Sequence, residues 1–200
     1  MKRIIRFLLL GFVLAITSTG CVYWHSTSAL SHTRFPSSPE HPQIRSIAFN
    51  TEFQFVGEAM RKEVRQIEID LINGWAEDIF KGSGRYDVTH DKRTADCRLF
   101  LDVRVLDNAS MGLGILSGLT LEVIPWVGSE SFEIEARLVK QDGSVIGLRT
   151  LSSKMNFVWQ ILLLPVTPFM YYRLAEHRMW REFLTELLAW TDAELNALQK

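Results

Sequence analysis

The chain has 200 residues, with 22 basic and 23 acidic side chains and a formal net charge of −1. This length is sufficient for one domain with a core of ordinary size, and the balance of charge argues against a nucleic-acid partner, which requires a basic surface. The only two cysteines, Cys21 and Cys97, are too few for a fold held together by several disulfides.

Residues 1–20 have the layout of a secretory signal peptide. Lys2, Arg3 and Arg6 supply a positive N-terminal region, an apolar run follows, and small residues precede Cys21. A cysteine in that position resembles the signal of bacterial lipoproteins. The resemblance implies that Cys21 is acylated and becomes the mature N-terminus. An ordinary cleaved signal and a retained N-terminal anchor are the alternatives.

The residue after the cysteine bears on localisation. In the lipoprotein family an Asp there favours the inner membrane, whereas this chain has Val22. The resemblance therefore implies an outer-membrane protein that is anchored in the bilayer through acylated Cys21 and faces the periplasm. The leader holds three basic residues and no acidic one, so the mature chain has 19 basic and 23 acidic side chains, a net charge of −4.

After the leader, the composition divides the mature chain into two regions. Residues 21–43 are rich in Ser, Thr, His and Pro without periodicity, which predicts a lipidated N-terminus followed by a flexible tether. Residues 44–200 are expected to form a single α+β periplasmic domain.

Hydrophobic periodicity predicts the elements of that domain in chain order. They are a strand at 44–49, an amphipathic helix at 60–80, strands at 86–88 and 95–106, a hairpin at 130–154 that turns at 141–143, and a helix at 174–198. The apolar stripe of the last helix predicts that Leu184 and Leu187 are buried. Cys97 lies on the apolar face of its strand and is expected to be a buried, unreactive thiol.

This order of elements predicts a two-layer α+β sandwich, with a mainly antiparallel sheet and two amphipathic helices on one face. In the hairpin, a loop of three residues would place Leu138 opposite Ile146 and Ala136 opposite Leu148, with the register uncertain by one residue.

Two apolar arms, residues 111–127 and 155–172, lead into and out of the hairpin. The two ends of a hairpin opposite its turn are neighbours, so we expect Trp126 to lie close to Val158 and Trp159. The arms either continue the strands and complete the core, or form an exposed apolar tip that contacts a membrane or a partner. The candidate contact residues are Trp126, Trp159, Leu163, Tyr171 and Tyr172.

The chain shows no pattern typical of catalysis or cofactor binding. Gly112, Gly114 and Gly118 depart by one residue from a dinucleotide-binding pattern and read as flexible backbone. The five histidines have no metal-ligand spacing. We therefore expect a protein that is not an enzyme and binds no metal or cofactor.

Segment 44–50, the long helix after it, and Thr94, Ala95 and Asp96 at the start of a strand are similar to small periplasmic α/β lipoprotein domains. The lipopolysaccharide-assembly lipoprotein and the cofactor lipoproteins of cell-wall synthesis are examples. This resemblance implies a non-enzymatic envelope protein that binds a partner in an assembly or scaffold role. The alternative is a lipid-binding or membrane-inserting module that uses the apolar arms.

Overall fold

A computed structural model describes residues 20–27, 45–56, 62–120, 123–160 and 172–198. The elements in chain order are β1 Gly20–Thr27, β2 Arg45–Val56, α1 Lys62–Gly82, β3 Tyr86–Val88, β4 Cys97–Asp107, α2 Met111–Leu119, β5 Trp126–Lys140, β6 Val145–Gln160 and α3 Tyr172–Ala197. In the described ranges, no helix combines the length and hydropathy that crossing a bilayer requires.

The six strands in the described ranges form one mixed sheet in the order β1-β6-β5-β4-β2-β3. Strand β2 runs parallel to both β3 and β4, and its register with β4 pairs Ile47 with Cys97 and Val56 with Leu106. Strands β4 and β5 are antiparallel, since Asn108 N–H donates to the Ser129 carbonyl and Gln141 N–H donates to the Asp96 carbonyl. Parallel and antiparallel pairs therefore meet at β4.

The predicted two-layer sandwich with a mainly antiparallel sheet and two helices is wrong. The chain has a mixed sheet, and its described residues contain three helices. The physical reason is the connection from β2 to β3, which contains the 21-residue helix α1. A crossover helix of that length returns the chain to the same end of the sheet, so the next strand pairs in parallel.

The turn between β5 and β6 closes the expected three-residue loop, 141–143: Gly143 N–H donates to the Lys140 carbonyl, and Lys140 N–H donates to the Ser144 carbonyl. Beyond the turn the expected alternation does not continue, because Leu148 is 58% exposed. Gly147 takes the inward position, and a Cβ there would lie 2.9 Å from the Trp190 ring.

The region predicted to be a tether begins with a strand instead. Strand β1, Gly20–Thr27, lies at the edge of the sheet beside β6. Its Val, Tyr and Trp residues favour an extended backbone. The prediction of a tether rested on the Ser- and Pro-rich residues that follow them. The rest of the expected tether, residues 28–43, lies outside the described residues.

The chain forms two compact units. Unit 1 comprises the described parts of residues 1–26, 107–130 and 154–177, and unit 2 those of residues 27–106, 131–153 and 178–200. In unit 2, Tyr86 of β3 contacts both long helices: its ring lies 5.3 Å from that of Phe80 on α1, and its hydroxyl donates to Asp192 on α3 at 2.7 Å. Burial and the Asp192 carboxylate raise the pKa of Tyr86 well above its usual range.

Helix α3 packs against the core of unit 2 through its apolar stripe, as the sequence predicts. Leu184 and Leu187 are both fully buried, and Trp180 and Phe183 pack edge to face at 5.9 Å. Two buried acidic side chains of the same helix form ion pairs, Asp192 with Arg85 and Glu186 with Arg149 at 2.6 Å. These pairs offset part of the cost of removing the two carboxylates from water, although Glu186 Oε2 has no hydrogen-bond partner in the described ranges.

Candidate functional site

The candidate site is built around helix α2 in unit 1. Ser110 caps its N-terminus by accepting a hydrogen bond from Leu113 N–H at 3.4 Å. The Thr120 hydroxyl closes the other end by donating to the Leu116 carbonyl at 3.0 Å. Three glycines within nine residues disfavour an isolated helix, each by about 1 kcal/mol relative to alanine. Contacts within unit 1 must therefore hold the helix in place.

Trp126 makes those contacts with the inner side of α2. Its indole N–H donates to the Ser110 carbonyl at 3.2 Å. A Cβ at Gly114 would come within 3.3 Å of the indole ring. A glycine at this position lets the ring lie directly against the helix backbone, so the opposite side of the helix faces outward.

The outward side of α2 is apolar and exposed. Met111, Ile115 and Leu119 recur every four residues and are 80%, 62% and 78% exposed. Unit 1 has further exposed apolar side chains: Leu116, Val123 and Val127. Large side chains of this kind are normally buried, and a group of them on one element marks a contact surface.

Four aromatic side chains form a cluster behind this helix, namely Tyr23, Trp126, Phe157 and Trp159. The Trp126 ring lies 5.4 Å from that of Phe157 and 6.2 Å from that of Trp159. The expected proximity of Trp126 to Trp159 is thus confirmed. Gly128 makes room for the cluster, because a Cβ there would overlap the Phe157 ring and lie 2.9 Å from the Cβ of Ala109.

Strand β1 joins the candidate lipidation site to this cluster. Cys21 lies in β1 two residues before Tyr23, whose ring is 5.7 Å from that of Phe157. At about 3.3 Å per residue, the Cα atoms of Cys21 and Tyr23 are roughly 7 Å apart along the strand. An acyl group on Cys21 would therefore start close to the aromatic cluster.

Glu130 is a half-buried acidic residue of the same unit. Its Oε2 atom is buried without a hydrogen-bond partner in the described ranges. Burial raises the pKa of Glu130 to about 7, and the nearby negative charge of Asp107 contributes in the same direction. The carboxyl group is thus partly protonated at neutral pH.

The structure brings some of the predicted contact residues together. Trp126 and Trp159 lie in the aromatic cluster and are half-buried. Leu163 and Tyr171 lie outside the described residues, and Tyr172 is the first residue of α3. The exposed residues Met111, Ile115 and Leu119 were not singled out from the sequence, although their spacing of four and the lack of charge around them were visible signals.

Unit 2 offers a shallow cavity of about 200 Å³, lined by Arg45, Asp96, Cys97, Lys140, Ile146, Leu195 and Leu198. Cys97 is only 2% exposed, and burial raises its pKa to about 12, so this thiol is structural rather than reactive. Asp96 is held by the backbone and hydroxyl of Ser46, both at 2.8 Å. Nowhere in the described ranges do histidines, cysteines and acidic residues cluster as metal ligands would.

No protein-family model and no curated protein matches the sequence. Among solved structures, the fold is similar to a DUF330-family protein from Xanthomonas campestris, with 16% identity, 84% of this chain and 95% of that chain covered, and a TM-score of 0.49. A putative neuraminyllactose-binding hemagglutinin homolog from Helicobacter pylori has 12% identity, coverage of 84% and 97%, and a TM-score of 0.48.

A DUF4136-family protein from Bacteroides thetaiotaomicron has 11% identity, coverage of 87% and 96%, and a TM-score of 0.31. The similarity is one to bacterial domains of comparable length, and at these scores it transfers no activity to this chain.

Proposed function

We propose that the protein is a non-enzymatic lipoprotein of the outer membrane that faces the periplasm and acts by binding a partner protein in an assembly or scaffold role. One observation carries the proposal: unit 1 combines the strand that contains Cys21 with an exposed apolar surface. The lipoprotein-like leader supports acylation of Cys21, and no cofactor is needed for this role.

The position of Cys21 explains where such a protein would act. Because β1 pairs with β6 and Tyr23 packs on Phe157, little free chain separates the acyl group from the folded unit. A lipid anchor at this point holds unit 1 at the membrane surface. Any partner that binds unit 1 would therefore be another component of the envelope.

The edge strand β1 is the surface best suited to a protein partner. It has a sheet neighbour on one side only among the described strands, and its Trp24 is 41% exposed. An edge strand can accept backbone hydrogen bonds from an added strand, and a tryptophan is a frequent anchor residue at protein interfaces.

Photo-crosslinking in cells tests this proposal. A crosslinking amino acid is placed at Trp24 or Val127 in unit 1, and at Val145 or Leu148 in unit 2 as controls that are at least as exposed. We expect a discrete protein adduct from the unit 1 positions and none from the controls. Absence of an adduct at both unit 1 positions, or the same adducts at all four, would contradict partner binding by unit 1.

A second candidate function is direct contact with lipid through α2. The observation that favours it is the lack of charge: residues 108–120 contain no ionisable side chain. An uncharged apolar surface of this kind can enter the interface of a bilayer.

A further inference from the structure

We infer that the exposed face of α2 lies in the lipid bilayer, in the leaflet that holds the acyl chains of Cys21. The protein is then attached to the membrane at two points, by its lipid and by this helix. The inference rests on the lipid anchor of the proposed function and is independent of the partner protein.

The composition of the exposed face favours lipid over protein. Met111, Ile115 and Leu119 present only methyl and methylene groups and the methionine sulfur, and Gly112 and Gly118 beside them have little or nothing within 4 Å of an added Cβ. Protein interfaces usually surround their apolar centre with a polar rim that carries hydrogen bonds. Acyl chains need no such rim, so a wholly apolar face is suited to them.

Hydrogen bonds at both ends of α2 also make the helix compatible with an apolar environment. The Ser110 carbonyl accepts from Gly114 N–H at 3.0 Å as well as from the Trp126 indole, and its hydroxyl accepts from Leu113 N–H. At the other end, the Thr120 N–H and hydroxyl both donate to the Leu116 carbonyl. Backbone groups left unpaired in lipid are costly, and these caps reduce their number.

The position of the lipid anchor at Cys21 places the exposed face of α2 near the bilayer. The mature chain begins at Cys21, and β1 carries it directly into the sheet of unit 1, beside the aromatic cluster on which α2 rests. Half-buried Trp126 lies against the inner side of the helix, with the ring of half-buried Trp159 6.2 Å from it, and tryptophan prefers the region between acyl chains and water. A lipid anchor alone leaves unit 1 free to turn, whereas a second contact fixes its orientation.

A fluorescent probe on α2 tests the inference without the lipid anchor. The mature chain is made with Cys21→Ser, which leaves the buried Cys97 as the only native thiol. Ile115→Cys is labelled with an environment-sensitive dye, and Leu148→Cys in unit 2 is the control, since the two native side chains are 62% and 58% exposed. Vesicles of phosphatidylethanolamine and phosphatidylglycerol at a ratio of about three to one are then added.

We expect a blue shift and a several-fold rise in emission from position 115 and no change from position 148. An unchanged spectrum at position 115, or equal changes at both positions, would overturn the inference. Flotation with the same vesicles gives a second readout: combined serine substitutions of Met111, Ile115 and Leu119 should lower the floated fraction several-fold, whereas serines at Val145 and Leu148 should not.

These substitutions lie at exposed positions, so the variants are expected to fold, and an unchanged melting temperature verifies this. If the three serines leave flotation unaltered, α2 does not contact lipid. A protein partner at α2 would give this same negative result together with a protein crosslink from position 115. Failure of acylation at Cys21 would appear only in the labelling of the full chain and would leave both vesicle experiments unaffected.

Discussion

Glu130 links the protonation state of unit 1 to its stability. The pKa of this side chain is raised from 4.5 in the unfolded chain to about 7, mainly by burial. The folded state therefore binds the proton more tightly than the unfolded state. The corresponding stability is fully present below about pH 4.5 and is lost as the pH rises to about 7, where the buried carboxylate becomes charged.

Glu130→Gln should remove this dependence, because the amide stays neutral at every pH. We expect the variant to unfold at a higher temperature than the wild type at pH 8, by an amount equivalent to at most about 3 kcal/mol, and at the same temperature below pH 4.5. Thermal unfolding between pH 4 and pH 8 measures the difference. Glu133→Gln, at an exposed position of β5, is the control. A difference that does not change with pH would disprove the role given to burial.

At the scale of single elements, helix α3 provides the clearest test of the core. Leu184 and Leu187 are fully buried, so truncation of either to Ala should reduce the free energy of unfolding by about 2–5 kcal/mol. Leu174→Ala in the same helix, where the side chain is 45% exposed, should cost less than about 1 kcal/mol. Denaturant unfolding compares the three variants. An equal loss of unfolding free energy at all three positions would show that the apolar stripe of α3 is not part of the core.

The long elements could be predicted from the sequence because their periodicity is set by local packing. Helices α1 and α3 and strand β3 lie within two residues of the expected ranges. The parallel pairing of β2 could not be read from β2 itself, since direction depends on where α1 returns the chain. The three-residue loop forms as expected, yet Leu148 beyond it is exposed, so the alternation of apolar residues near the turn did not fix which side chains face the core.

Helix α2 escaped prediction for a different reason. Its glycines are poor helix formers, and the contact that stabilises it, the indole of Trp126 against Gly114, joins residues that sequence periodicity does not relate. The same holds for the candidate site as a whole. The sequence identified the apolar arm and the proximity of Trp126 to Trp159, but the exposed side of the arm follows from tertiary packing.

At the scale of the whole molecule, we propose a lipid-anchored protein whose unit 1 makes the contacts with its surroundings. Two features support this proposal: the lipoprotein-like leader before Cys21, and the pairing of β1 with β6 beside exposed apolar surface. Without an acyl group on Cys21, the placement of unit 1 at the membrane would lose its main support.

Metabolic labelling tests whether Cys21 is acylated. Bacteria that express the full chain are grown with radioactive palmitate, and the wild type is compared with Cys21→Ala after purification. Cys97→Ala is the matched control, because it removes the other cysteine of the chain. We predict label in the wild type and in Cys97→Ala, and none in Cys21→Ala. Equal labelling of the wild type and Cys21→Ala, or no label in either, would contradict the account.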